Sequence, residues 1–135
     1  MFEGIFCPSI TITDAAGAID YELWGRHLDH LAEAGLDGVL LFGSIGEFYA
    51  FPSEVKKEAL AFAVERVAGR MKVLLGVGDT AMDRVLDLTA FAERAGADGV
   101  VAVSPYYFGP SAPCAEEYFG AIAGALSEID RRAPF

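Results

Sequence analysis

Two short segments of this sequence combine hydroxyl groups with a backbone that bends easily: Gly43-Ser44-Ile45-Gly46-Glu47 and Ser104-Pro105-Tyr106-Tyr107. A serine or tyrosine hydroxyl accepts and donates a hydrogen bond at once, which a group that relays protons must do. Gly43 and Gly46 leave the neighbouring N–H groups unobstructed, so the first segment suits a nest for a carboxylate. Glu47 follows the second glycine and is better suited to tying down loop amides than to acting as a base. The same residues have a plainer reading, with Ser44 an ordinary turn serine and Tyr106-Tyr107 a packed aromatic pair at a subunit contact.

Other candidate groups point to no cofactor and no metal. His27 and His30 share a helix face at i, i+3, but no cluster of Cys, Asp or Glu supplies further ligands, so both are read as solvated. Gly76-Val77-Gly78 lacks the third glycine of a dinucleotide fingerprint, and the end of a barrel strand explains it better. Cys7 and Cys114 lie far apart in unlike contexts and are read as reduced thiols, Cys114 being a plain one although it stands near a helix N-terminus.

The elements that must position the two segments are set out by a repeat. Ala34-Gly35-Leu36-Asp37-Gly38-Val39 and Ala95-Gly96-Ala97-Asp98-Gly99-Val100 each close an apolar-periodic helix and open an apolar run. The first glycine supplies a left-handed helix cap, and the second, beside an acidic residue, starts a strand buried on both faces. Strands are expected at Ile5 to Ile12, Val39 to Phe42, Val73 to Gly76 and Val100 to Val103. The helix after the first is capped near Asp20, with Trp24, Leu28 and Leu31 on one face. The second opens at Pro52-Ser53 and buries Val55, Ala59, Phe62 and Val67. The third follows a Thr80-Ala81-Met82-Asp83 capping box and buries Val85, Leu88 and Ala92, and the fourth has Pro113 in its first turn ahead of Tyr118, Phe119, Ile122 and Leu126. Lys56, Lys57 and Lys72 are placed on a surface helix and before strand three, away from the loops.

Strict alternation of strand and helix predicts an α/β fold built of four parallel βα units. Ala133-Pro134-Phe135 reads as the start of a fifth strand. The regularity of the units then predicts a (β/α)4 half of a TIM (β/α)8 barrel, truncated at the start of strand five, with residues 1–135 in one domain and no linker. The net charge of −10 opposes binding to nucleic acid and to anionic membranes. No run approaches the roughly 18 apolar residues of a membrane span, and no signal sequence opens the chain, so a cytoplasmic location is expected. Hydrophobic residues make up 53% of the sequence, which rules out disorder.

Phe2-Glu3-Gly4-Ile5 with Pro8, the Gly43 to Glu47 loop, Gly76-Val77-Gly78 and Ser104-Pro105-Tyr106-Tyr107, in this order and spacing, resemble the family of dihydrodipicolinate synthase and N-acetylneuraminate lyase. The resemblance implies a class I pyruvate-dependent lyase or aldolase that uses no cofactor and takes pyruvate or another 2-keto acid through a lysine Schiff base. It covers only the N-terminal half of the family's barrel, and the family's strand-five tyrosine and strand-six lysine fall beyond Phe135. By resemblance Ser44 and Tyr107 are catalytic proton-relay hydroxyls, Tyr107 reaching in from a neighbouring subunit of a homo-oligomer. Gly43, Ser44, Ile45 and Gly46 bind the substrate, while Glu47 and Tyr106 lie behind the site or at the interface. Ile45 departs from the second hydroxyl residue usual there, leaving a backbone donor. The strings around it look closer to 2-keto-3-deoxy sugar-acid aldolases. Ser53, Thr80 and Arg84 do not reproduce the His, Asn and Glu pattern of lysine-inhibited synthases. A non-catalytic, self-associating half-barrel module is the alternative, and it has no physical need to keep Ser44, the glycine loop and Tyr107 together.

Overall fold

The computed structural model describes residues 2–106 and 109–126. The expected fifth strand at Ala133 to Phe135 and the side chain of Tyr107 lie outside them. Among the described residues nine elements follow one another in four βα units. The strands are β1 (Phe6–Pro8), β2 (Gly38–Leu41), β3 (Lys72–Gly76) and β4 (Gly99–Val101), and the helices are α1 (Tyr21–Glu33), α2 (Ser53–Val67), α3 (Met82–Ala95) and α4 (Ala112–Ala125), with a short 3₁₀ turn at Phe48–Ala50.

All strand pairs are parallel and the spatial order is the chain order, β1-β2-β3-β4. Right-handed crossovers between strands in unbroken sequence put every helix on one face, whereas a doubly wound sheet would reverse its order. Successive helices accordingly pack side by side, α1 on α2, α2 on α3 and α3 on α4. This is the wall of a barrel rather than an open sandwich.

The repeat has one structural meaning in both copies. Gly35 and Gly96 take φ of +78° and +82°, the left-handed conformation that ends α1 and α3. Asp37 then donates its N–H to the Ile5 carbonyl at 3.0 Å and accepts the Ile5 N–H on its carboxylate at 2.6 Å. Asp98 makes the same two-point clamp on Val73, at 2.8 and 2.9 Å. Each aspartate thereby sets the register of a new strand on an earlier one.

α1 begins where expected, the Asp20 carboxylate accepting the Leu23 N–H at 2.9 Å, and it buries Trp24, Leu28 and Leu31. Trp24 is fully buried, stacks on Phe62 at 6.0 Å and donates its indole N–H to the Ile10 carbonyl at 3.0 Å. That contact explains the first correction. The expected strand Ile5 to Ile12 is only three residues long, because beyond Ser9 the backbone is drawn to α1: Ile10 by Trp24, and Ile12 by the Asp20 N–H at 2.9 Å. Strand four likewise stops at Val101.

The helices bring three further corrections. The capping box at Thr80 does not form: the cap residue is Ala81, with no side-chain cap bond, and the Asp79 carboxylate takes the Ala81 N–H at 3.0 Å. The buried stripe of α2 is Lys56, Ala59, Leu60, Ala63 and Val67, so Val55 and Phe62 are only half-buried. On α4, Tyr118 and Ile122 are buried but Phe119 is exposed. Lys56 is the largest departure, expected on the surface and found 1% exposed.

Candidate functional site

The loop after β2 is held by its own turn bonds, with the Glu47 N–H donating to the Ser44 carbonyl at 3.2 Å and the Phe48 N–H to the Gly43 carbonyl at 3.3 Å. Two non-glycine residues in the left-handed region bracket it, Phe42 at φ 52° and Glu47 at φ 53°. Such conformations persist only where surroundings impose them. The imposing residues come from the segment after β1. Thr11 donates its hydroxyl to the Gly46 carbonyl at 2.9 Å, and a Cβ on Gly46 would stand 2.9 Å from the Ser9 carbonyl oxygen.

Ser44 lines a cavity of about 140 Å³ together with Gly43, Gly76, Gly78 and Val103. Glycine at position 76 is required by the same packing, because a Cβ there would run into the Phe42 carbonyl. Gly76-Val77-Gly78 is thus the crowded end of a barrel strand, as the sequence suggests. Among the described residues, the N–H groups of Ser44, Ile45 and Gly46 donate to no protein acceptor. The cavity therefore reaches Ser44, at the edge of a loop with amides available for an anion, at the C-terminal ends of parallel strands, where barrels place their chemistry.

Ile45 lies on the same loop but is 59% exposed and does not line the cavity. The Glu47 carboxylate makes no capping bond to the following turn. Tyr106 packs edge-on against Phe48, with ring centroids 5.5 Å apart, and lines a second, larger cleft rather than the Ser44 cavity. The structure brings Ser44 and Gly43 to one cavity and Tyr106 to the other, with Phe48 lining both.

Thr11 and Ser9 went unread in the sequence, since nothing local marks a threonine whose partner is 35 residues away. Lys56 went unread because a lysine in an amphipathic pattern signals the solvent face. Burial pushes its ammonium below the ordinary lysine range, and Arg84 adds to the shift while Asp79 opposes it. His27 is half-buried, with Nε2 unpartnered, and burial reinforced by neighbouring His30 lowers its pKa. Cys7 and Cys114 are free thiols. Among the described residues no group of His, Cys, Asp and Glu is arranged to hold a metal, and no helix is long and apolar enough to cross a membrane.

Comparison with known proteins agrees with this geometry. The 4-hydroxy-tetrahydrodipicolinate synthase of Aquifex aeolicus is 37% identical over 130 residues, which are 96% of this chain and 43% of that protein. YagE of Escherichia coli K12, provisionally named a 2-dehydro-3-deoxy-D-gluconate aldolase, is 36% identical over 127 residues, 94% of this chain and 42% of that protein. The crystal structure of YagE in complex with pyruvate superposes with a TM-score of 0.91, covering 94% of this chain and 43% of that one. N-acetylneuraminate lyase from Mycoplasma synoviae, 27% identical, superposes at 0.87 over 93% of this chain and 44% of its own. The chain thus spans less than half the length of the relatives it matches, and its four units correspond to the N-terminal half of their TIM barrel. Residues 1–130 match the dihydrodipicolinate synthetase family, and the chain belongs to that family.

Proposed function

We propose that this chain is the N-terminal part of a Schiff-base-forming, pyruvate-dependent carbon–carbon lyase, of the 2-keto-3-deoxy sugar-acid aldolase or dihydrodipicolinate synthase kind, acting in the cytosol as a homo-oligomer. The observation that carries this reading is the Ser44 cavity, lined also by the strand-end glycines Gly76 and Gly78, beside a loop whose Ser44, Ile45 and Gly46 N–H groups have no protein acceptor among the described residues. The pyruvate bound in the related YagE structure supports the substrate class.

In the proposed reaction an uncharged lysine amine adds to the ketone carbon of pyruvate, and loss of water leaves an iminium. The iminium nitrogen takes up the electron pair as a methyl proton leaves, giving an enamine that attacks an aldehyde; cleavage runs the same steps backwards. The amides of Ser44 to Gly46 hold the carboxylate. Ser44, with Tyr107 from a neighbouring copy, carries protons between the solvent and the reacting oxygen.

The imine-forming lysine is assigned to strand six of the completed barrel, outside these 135 residues, so the chain by itself is expected to be inactive. Its three lysines are poorly placed for that step. Lys57 is paired with Glu54 and Asp87, Lys72 is paired with Asp98, and Lys56 lies outside the Ser44 cavity.

Borohydride reduction in the presence of pyruvate, followed by peptide mass spectrometry, tests the assignment. A completed protein should carry one reduced adduct, on a lysine beyond residue 135, and none on Lys56, Lys57 or Lys72. A stoichiometric adduct on one of those three would overturn it.

A further inference from the structure

The strained loop after β2 is gripped near both ends by one side chain of α1. At its entry Phe42 takes φ 52°, and the Trp24 ring packs against the Phe42 ring with centroids 6.3 Å apart. Phe42 in turn meets Phe51, just beyond the loop, edge-on at 5.5 Å. Toward the exit the grip is relayed by hydrogen bonds. The Trp24 indole N–H donates to the Ile10 carbonyl at 3.0 Å, and the next residue, Thr11, donates its hydroxyl to the Gly46 carbonyl at 2.9 Å.

Residues 9–12 thus form a strap between α1 and the loop. The Ser9 N–H donates to the Leu40 carbonyl at 3.0 Å, the Ser9 hydroxyl shares the Ile10 carbonyl with the indole at 2.8 Å, and the Asp20 N–H holds the Ile12 carbonyl at 2.9 Å. Ser9, Trp24 and Phe42 are each 1% exposed or less, so water is not at hand to replace these contacts. A buried indole N–H needs an acceptor, and the Ile10 carbonyl supplies it. Among the described residues β1 ends at Pro8 and no ladder bond fixes Ile10 or Thr11. The direction of the Thr11 hydroxyl is therefore set from α1 rather than from the sheet.

We propose that Trp24 is a positioning residue for the Ser44 loop: its ring holds the entry at Phe42, and its N–H, through Ile10 and Thr11, holds the exit at Gly46. Left-handed non-glycine residues persist only where the surroundings over-determine them, and Trp24 reaches both ends of the segment that contains them. Held at both ends, the loop keeps the N–H groups of Ser44, Ile45 and Gly46 in one arrangement. Trp24 brings no group to the substrate and acts only through the strap and Phe42. Its effect on pyruvate rests on the reading of this loop as the carboxylate site; its effect on loop geometry does not.

Amide hydrogen exchange of the completed protein tests the strap. Trp24→Phe keeps a ring against Phe42 and removes the donor to Ile10, while Thr11→Val breaks the second link and leaves Trp24 in place. Each should speed exchange of the loop's turn amides, Glu47 and Phe48, about tenfold more than exchange of residues 85–92 in α3. The double variant should add little to the larger single effect, because both substitutions release the same strap. KM for pyruvate should rise about threefold in Trp24→Phe with a smaller change in kcat. If Trp24→Phe does not fold, Thr11→Val carries the test through the indole N–H resonance of Trp24, which should shift. Loop amides that speed up no more than those of α3, additive effects of the two substitutions, an unmoved indole resonance in Thr11→Val, or a loss confined to kcat would overturn the proposal. Exchange and resonance need no turnover, so a protein without lyase activity would count against the proposed reaction alone.

Discussion

In the proposed reaction Ser44 supplies chemistry to the first loop, and Thr11 holds the loop in position. Ser44→Ala in the completed enzyme deletes the proposed relay hydroxyl from an exposed position and should lower turnover about 10²-fold with the fold intact; Tyr107→Phe should do the same. Steady-state kinetics with unchanged turnover in both variants would remove the relay from the mechanism. Thr11→Val keeps the shape but leaves the Gly46 carbonyl without its donor at 2.9 Å. Because the loss is felt in the geometry of the loop amides, KM for pyruvate should rise about threefold with a smaller change in kcat, and Thr11→Ser should restore it. Ile45→Thr adds a donor to the loop proposed to hold the carboxylate, so a lower KM is its expected signature. The loop around Ser44 was legible in the sequence because its glycines lie close together in the chain. Thr11 and Lys56 were not, since the meaning of each depends on residues brought together only by the folded sheet.

Local chemistry also decided which element boundaries could be read. Asp20 and Pro113 announce their helices because a cap acts on the next turn, while Thr80 misled because Asp79, one residue earlier, took the amide instead. The repeat was visible as a pattern, but its function as an aspartate clamp required the partner strands. A test at this scale is Gly76→Ala, whose new Cβ meets the Phe42 carbonyl; overpacking of this kind typically costs about 1–3 kcal/mol, so a clear drop in the unfolding midpoint is expected. Between α1 and α2, Asp29 is bonded to Arg66 and Arg70, which hold its carboxyl at about 2 from an ordinary 3.8. A depressed carboxyl pKa stabilises the fold above the unfolded value and loses that contribution as pH falls through the folded one. The thermal midpoints of the parent and Asp29→Asn should therefore differ at neutral pH and converge between about pH 4 and pH 2. The difference should also shrink with added salt, because the pair is exposed.

At the scale of the whole molecule, unbroken strand order leaves β1 and β4 as the two edges of the sheet among the described residues. A paired barrel has no edges, and unpaired strand edges are templates for association. Apolar side chains follow the same two borders: Ile5 and Ile10 flank β1, Val101 ends β4 and Val103 follows it, all exposed. The net charge of −10 opposes precipitation but supplies no ladder hydrogen bonds. A polypeptide of these 135 residues alone is therefore expected to pair edge to edge into a dimeric pseudo-barrel, or to stay partly molten and bind the dye ANS. Light scattering combined with ANS fluorescence at micromolar concentration separates the cases. A cooperatively melting, ANS-negative monomer would mean that four units close their own core, and would favour a self-sufficient module over a barrel half that needs its partner.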